Sequence, residues 1–551
     1  MDHEKLKPML FTALKGYTKE QFVKDLIAGI IVAIIALPLS IALALASGVG
    51  PEEGLYTAIV AGFIISLLGG SRVQIAGPTA AFATIVAGIV AKNGMSGLAL
   101  ATILAGIILI IMGLLKLGSL IKFIPYTITT GFTAGIAVTI VIGQLKDFFG
   151  LTYPAGTTTI ETTEKVLAVV NNFSTINIQA MIVGLVCLAV LIIWPYINQK
   201  IPGSLIAVIV GIIMVKGIGM EVNTIGDLYT ISGKLPTFTL PEVSFASIQA
   251  VIPDAFTIAI LAAIESLLSC VVADGMIGSR HRSNMELVAQ GAGNMASALF
   301  GGIPATGAIA RTAANIKNGG KTPIAGMVHA IVLVLVLVVL MPYAALIPMP
   351  TIAAILFMVA YNMCQWRAFV HLCKTAPKSD IIVLVITFVL TVVFDLVVAI
   401  EIGLLLAGLL FMKRMSEETD IKGWKYFDEE NDPDAIGLRQ IPKAVRVYEI
   451  SGPMFFGVAD RLADITVKDF TKALVIRMRG VPALDVTAMR SLEALQDRCA
   501  KKGITLIFSH VNDQPMRTMI KDGFVEKVGK ENFCKHIDDA LDRAKEVAEK
   551  A

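Results

Sequence analysis

The sequence predicts a polytopic α-helical membrane protein, with about fourteen transmembrane segments in two inverted seven-segment repeats, followed by a soluble C-terminal α/β domain. Three observations predict it. The 551-residue chain is 55% hydrophobic and only 16% charged, against roughly 25% charged residues in a soluble domain. Polarity changes abruptly: residues up to 412 are overwhelmingly apolar, and 413–551 are rich in Lys, Glu, Asp and Arg. Two apolar stretches are also interrupted alike, Gly77-Pro78-Thr79-Ala80-Ala81-Phe82 and Gly302-Ile303-Pro304-Ala305-Thr306-Gly307, with Pro78 and Pro304 226 residues apart.

Splitting the apolar region at its charges and turn residues places segments near 26–47, 54–71, 73–91, 97–115, 123–145, 178–198, 203–216, 254–272, 286–300, 301–316, 322–341, 343–363, 380–394 and 396–412. The third and tenth are the broken ones, which gives repeats at about 26–216 and 254–412. Seven is odd, so the second repeat enters the membrane inverted, and fourteen is even, so both termini share a side. The N-terminal lysines, Arg72, Lys116, Lys122, Lys200, Arg280, Arg282, Lys317, Lys321, Arg367, Lys374, Lys378, Lys413 and Arg414 fall on that side, against Lys92, Lys146, Lys165, Lys216 and Lys234 on the other. Positive residues concentrate on the cytoplasmic face, so both termini are expected to be cytoplasmic. The first 25 residues are polar, and the apolar run after them reads as a spanning helix rather than a cleavable signal.

Two external connections, 147–177 and 217–253, are long, and Tyr229-Thr230-Ile231-Ser232 and Phe238-Thr239-Leu240 in the second have the alternation of short strands. Residues 413–440 read as a linker, acidic from 415 onward, and 441–551 as the soluble domain. There, Val445–Ile450, Ala473–Met478 and Ile504–Phe508 read as strands, and 486–500, 513–522 and 536–549 as amphipathic helices. The six cysteines show no C-x-x-C spacing and read as buried thiols.

A half-helix that begins in mid-membrane presents free N–H groups and a positive dipole end. Two such ends facing each other make an anion site. Thr79 and Thr306 are candidate hydroxyl donors, and Ala80, Ala81, Gly307 and Ala308 are small enough to let a ligand approach the backbone. Glu265 lies deep in the eighth segment, at a cost on the order of 2.5–3.5 kcal/mol if charged, which marks it as a candidate carrier of a coupling proton. Ser269, one turn later, completes a sodium site as the alternative. Arg311 either raises the positive potential of the anion path or snorkels toward the cytoplasm. Gln21, Asp25 and Arg72 read as interface residues, and Asp274 and Asp395 as caps or turn residues. No nucleophile–base pair or metal cluster points to an enzyme, no cofactor is implied, and nothing points to nucleic acid.

The stretches DLIAG at 25–29, GLYTA at 54–58, GGSR at 69–72, GPTAAF at 77–82, AIESLLSCVVADGMIG at 263–278, ELVAQGAGN at 286–294 and GGIPATGAIARTAANI at 301–316 resemble the SulP (sulfate permease) family of anion transporters. GPMFFG at 452–457 and LVIRMRGVPALDVTAMRSLEAL at 474–495 resemble its C-terminal STAS domain. The resemblance implies a multi-pass protein of the bacterial cytoplasmic membrane, divided into core and gate domains and often a homodimer. It implies substrate between the third and tenth half-helices, with Thr79, Ala80, Thr306, Gly307 and Ala308 lining the site and Glu265 in the coupling role. Where related antagonist proteins carry a phosphorylatable serine, this chain has Val486, so the STAS domain is expected to serve trafficking, dimerisation or a cytosolic partner. The likeness to the family's proton-coupled C4-dicarboxylate transporters makes those the first expected substrates. A sodium- or proton-coupled sulfate or bicarbonate transporter is the alternative, and an anion channel or a nucleobase permease stands further off.

Overall fold

The computed structural model describes residues 6–119, 125–154, 156, 157, 159, 161–198, 201–394, 396–417, 419–423, 441–455, 462, 465 and 470–550. Asp395, most of the expected linker and the end of the GPMFFG stretch lie outside them. The chain divides into two compact units, Met1–Leu404 and Leu405–Ala551.

The first unit is helical. Besides the short helices Leu10–Ala13, Thr162–Asn171 and Ile225–Leu228, its described helices in chain order are α1 Lys19–Ala46, α2 Pro51–Leu68, α3 Ala80–Leu114, α4 Tyr126–Phe149, α5 Ile178–Ile197, α6 Gly203–Ile212, α7 Phe245–Ile277, α8 Ser283–Leu299, α9 Ile309–Lys317, α10 Pro323–Ala344, α11 Met349–Cys364, α12 Trp366–Thr375, α13 Lys378–Val393 and α14 Leu396–Glu417, the last crossing into the second unit. Gly94, with φ 66° and ψ −175°, breaks α3 in two. With that break counted and α12 set aside, the described residues hold the fourteen expected segments. Among the described residues, eight helical stretches are long and apolar enough to cross a membrane, one of them being Met349–Thr375, which runs through α11 and α12.

Boundaries moved where caps override hydropathy. α1 begins seven residues before the apolar run because Thr18 accepts a hydrogen bond from Gln21 N and Glu20 pairs with Lys24 at 2.6 Å. α7 starts at a Ser244–Ser247 capping box and stops at Gly278 in the left-handed region. The strands expected at 229–232 and 238–240 do not form. Among the described residues no partner strand lies beside them, and the loop is pinned instead by Tyr56 Oη on Lys234 O at 2.9 Å, by Ser232 N on Glu52 and by Thr239 N on Leu299 O. Asp25, expected at an interface, is fully buried. It accepts from Tyr17, Gln21, Lys321 N and Thr322. Asp274 does hold a turn, taking hydrogen bonds from Ser279 and His281 N.

The helices pack as two bundles. α8 lies along α3 and α2, α7 along α3, and α10 along α1 and α2; α4 lies between α11 and α13, with α5 and α6 against α11. Small residues make the contacts close: Ala33, Ala36, Ala42, Ala44, Ala58 and Ala61 are all fully buried. In hydrocarbon the apolar effect does not drive helices together, so this dense small-residue packing carries the association.

Among the described residues the second unit holds a five-stranded sheet in sequence order: β3 Asp420–Gly423, β4 Val445–Ser451, β5 Ala473–Gly480, β6 Thr505–Ser509 and β7 Phe533–Cys534 (β1 and β2 belong to the first unit and are described below). β3 runs antiparallel to β4 and the others are parallel. Residues 420–423 are therefore part of the soluble fold, where a linker was expected. Side chains alternate across β5: Leu474 and Ile476 face α15 Val486–Lys501 and α16 Asp513–Asp522, whereas Ala473 and Val475 face α17 Ile537–Lys550. At the head of α15, Asp485 accepts from Ala488 N at 2.8 Å, and Val486 stands 71% exposed. All six cysteines are free; Cys187, Cys270 and Cys499 are buried and the other three half-buried.

Candidate functional site

The two Gly/Pro breaks meet. Neither arm is helical before its half-helix begins, and β1 Ala76–Gly77 pairs antiparallel with β2 Thr306–Gly307, Ala76 opposite Gly307 and Gly77 opposite Thr306. Ala308 N donates to Ile75 O at 2.8 Å beside the pair. Because the strands are antiparallel, α3 and α9 leave the crossing in opposite directions with their N-termini close together. Thr79 and Ala308 are the residues that precede the two helices, and neither caps with its side chain. The first-turn N–H groups of both half-helices therefore lack side-chain acceptors, the arrangement that concentrates positive potential.

Thr79 leaves its helix uncapped because its hydroxyl is used elsewhere: Oγ1 donates to Glu265 Oε2 at 2.9 Å. Glu265 is partly accessible on α7 amid buried neighbours, Ala262, Ile264 and Ser266 among them. Ser269, one turn on, is fully buried and its Oγ has no partner. Thr306 is also fully buried, but it belongs to β2 rather than to a helix end, and its hydroxyl donates to Ala262 O at 3.2 Å. The structural counterpart of Thr79 is thus Ala308, and the two expected hydroxyls both turn toward α7. Ala80, Ala81, Gly307 and Ala308 are buried at the crossing.

Arg311 does not snorkel. It is 1% exposed, and its Nη2 donates to Pro78 O at 3.1 Å while Nε and Nη1 have no partner. Nη1 lies where a Cβ on Gly77 would stand, so only glycine at 77 admits the guanidinium. Gly307 is constrained in the same way by Gln74. A buried guanidinium without a carboxylate partner is costly. Set between two positive helix ends, it leaves a site with an unmet demand for negative charge.

The scaffold that holds the crossing is a polar stripe on α8 at intervals of four: Glu286, Gln290 and Asn294, all fully buried. Glu286 accepts from Gly70 N at 2.8 Å, Ser71 N, Gln74 Nε2 and Gln290 Nε2, which fixes the first arm. Asn294 clamps the second, accepting from Ala305 N and donating to Ala305 O, each at 2.8 Å. Gln74 also accepts from Cys270 of α7. Sequence reasoning assigned none of these residues a role. Their signal was the i, i+4, i+8 spacing of polar side chains in an otherwise apolar helix.

The sequence matches the model of the sulfate permease family over residues 22–387 and that of the STAS domain over 436–540. The chain belongs to the sulfate permease family. A putative sulfate transporter of Bacillus subtilis, YvdB, is 41% identical, with 95% of this chain and 98% of that protein aligned. The bicarbonate transporter BicA of Picosynechococcus is 32% identical, with 94% of each covered. Among solved structures, the murine anion transporter Slc26a9 in its inward-facing state has the same fold, with a TM-score of 0.86 at 20% identity over 98% of this chain and 94% of that one. The transmembrane domain of a cyanobacterial BicA superposes with a TM-score of 0.63 at 31% identity, covering 71% of this chain and 98% of that one. This sulfate permease family member is accordingly a multi-pass anion transporter with a STAS domain. YvdB and BicA carry sulfate and bicarbonate in their names rather than C4-dicarboxylates.

Proposed function

We propose that this chain is a secondary active transporter of a small inorganic oxyanion of the sulfate or bicarbonate class, symported with a monovalent cation held at Glu265. The observation that carries this reading is Arg311, a buried guanidinium with open N–H groups between two uncapped half-helix ends. It supplies one compact focus of positive charge, which suits a small oxyanion better than a C4-dicarboxylate with two separated carboxylates. The names of the bacterial and cyanobacterial relatives support the same class. The anion rests against Ala80, Ala81, Gly307 and Ala308, where small side chains give access to backbone N–H groups.

Glu265 and the unpartnered Ser269 Oγ are the oxygen donors for the coupling cation, sodium or a proton. Thr79 links that cation to the first half-helix, so cation and anion stabilise one another's binding across the same crossing. Movement of the α1–α3 and α7–α10 bundle against the α4–α6, α11 and α13 bundle alternates access, with both termini in the cytoplasm and two copies associating in the membrane. Uptake of labelled sulfate and bicarbonate into proteoliposomes, under separately imposed sodium and proton gradients and with succinate as competitor, tests the reading. Gradient-driven accumulation of one inorganic anion, unaffected by succinate, is expected. Accumulation of succinate itself, or anion flux indifferent to both gradients, would overturn it.

A further inference from the structure

Between α11 and α13 the chain makes a detour that transport does not explain. α11 ends at Gln365, which adopts the left-handed conformation with φ 43° and ψ 43°. α12 follows for ten residues and ends ahead of Pro377, and none of its side chains is buried. Its faces are nonetheless sorted. Ala368, Phe369, Leu372 and Cys373 turn partly inward, with the Phe369 ring 5.3 Å from Phe388 of α13. Trp366 and Val370 are 46% and 41% exposed and lie side by side on the next part of the surface. Beyond them, Arg367, His371 and Lys374 form an exposed basic stripe at i, i+4 and i+7.

This is a three-way division: one face on protein, one apolar and open, one cationic and open. The two open faces adjoin, so the boundary between them marks a plane along the helix axis. A helix that joins two membrane-spanning helices sits at the bilayer edge, and the boundary fits the level at which acyl chains give way to headgroups. Trp is favoured at that level, and the Arg367 guanidinium stands 5.5 Å from the Trp366 ring, held on the headgroup side. No acidic residue occurs between 365 and 379. Asp380, in the first turn of α13, is half-buried. The exposed charge of the stripe is thus of one sign, and its complement in a membrane is an anionic phospholipid.

We propose that α12 is an interfacial helix that recruits anionic phospholipid headgroups through Arg367 and Lys374, with Trp366 and Val370 in the acyl boundary. The headgroup phosphates neutralise the stripe. Because α12 packs on α4 and, through Phe369, on α13, this anchors the α4–α11–α13 bundle to one leaflet.

Trp366 reports on the proposal directly. The full chain with Trp194→Phe and Trp424→Phe, leaving Trp366 as the sole tryptophan, is reconstituted in vesicles containing equal mole fractions of brominated phosphatidylcholine or brominated phosphatidylglycerol. Stronger quenching by the anionic lipid is expected, with the preference falling about fivefold for each of Arg367→Gln and Lys374→Gln, and falling with added salt. Equal quenching by the two lipids would overturn the headgroup assignment. Absence of quenching by either would show that protein, not lipid, covers the face. Native mass spectrometry of the chain with all three tryptophans intact gives a second measurement: phosphatidylglycerol is retained by the wild type and lost from the Arg367→Gln/Lys374→Gln variant, and equal retention would refute the site.

Discussion

Arg311 Nη2 donates to the carbonyl of Pro78 at 3.1 Å, so the buried cation of one half-helix is tied to the break that begins the other. The bond uses one of five N–H groups and neutralises none of the charge. It orients the guanidinium while leaving Nε and Nη1 open.

Arg311 therefore stands against stability and in favour of binding. Arg311→Leu should abolish anion uptake while raising the melting temperature by roughly 2 °C, because removing an unpaired buried charge relieves its desolvation penalty. Scintillation uptake and thermal unfolding in the same detergent check both. A variant that is less stable as well as inactive would contradict the uncompensated-charge reading.

Glu265 and Thr79 share one hydrogen bond, so their variants should be related in size. Glu265→Gln should remove gradient-driven accumulation altogether while leaving the protein folded. Thr79→Val should shift the apparent affinity for the coupling cation by about tenfold, the loss of one hydrogen bond to a charged group. Cation titrations of uptake measure both, and full coupling retained in Glu265→Gln would remove the carboxylate from the mechanism.

The crossing depends on close approach. Gly307→Ala places a methyl group against Gln74, and Asn294→Ala releases both hydrogen bonds of Ala305. Each should cost about 1–3 kcal/mol and expose residues 70–77 or 303–308 to faster amide hydrogen exchange. Unchanged protection in these arms would show that the clamp is dispensable.

In the soluble unit, burial pushes the Cys499 thiol up to about 11. The thiol should stay protonated and alkylate slowly at pH 8 until denaturant exposes it. Since the folded value lies above the ordinary 9.0, the associated stability is present below pH 9 and is lost as pH rises through 11. Maleimide labelling followed by peptide mass spectrometry measures the rate, and rapid labelling of the native chain would contradict the buried placement.

Segment number, the pairing of the two breaks, the three central strands of the soluble unit (β4, β5 and β6) and the likeness to an anion-transporter family were legible in the residues. Each depends on local chemistry: apolar runs of spanning length, proline without an N–H, glycine without a Cβ, alternation along a strand. Partnerships are not local. Thr306 looked like the twin of Thr79, and only the antiparallel pairing of β1 with β2 places Ala308 in that position and turns the Thr306 hydroxyl onto Ala262 O.

The same holds for charge. The sequence left Arg311 between an anion path and a snorkelling cap, because a side chain that long reaches either way from its helix. Tertiary packing decided it by placing Gly77, which has no Cβ, beneath the guanidinium. Glu286 and Asn294 had no assigned role because the arm atoms they hold lie 216 and 11 residues away, and Gln290 because its partner is Glu286 itself. By itself the sequence determined that this is a helical membrane transporter with two interrupted segments and a soluble α/β domain. The tertiary structure decided which groups face one another at the interruptions, since hydrogen bonds and unmet charges depend on distance in space.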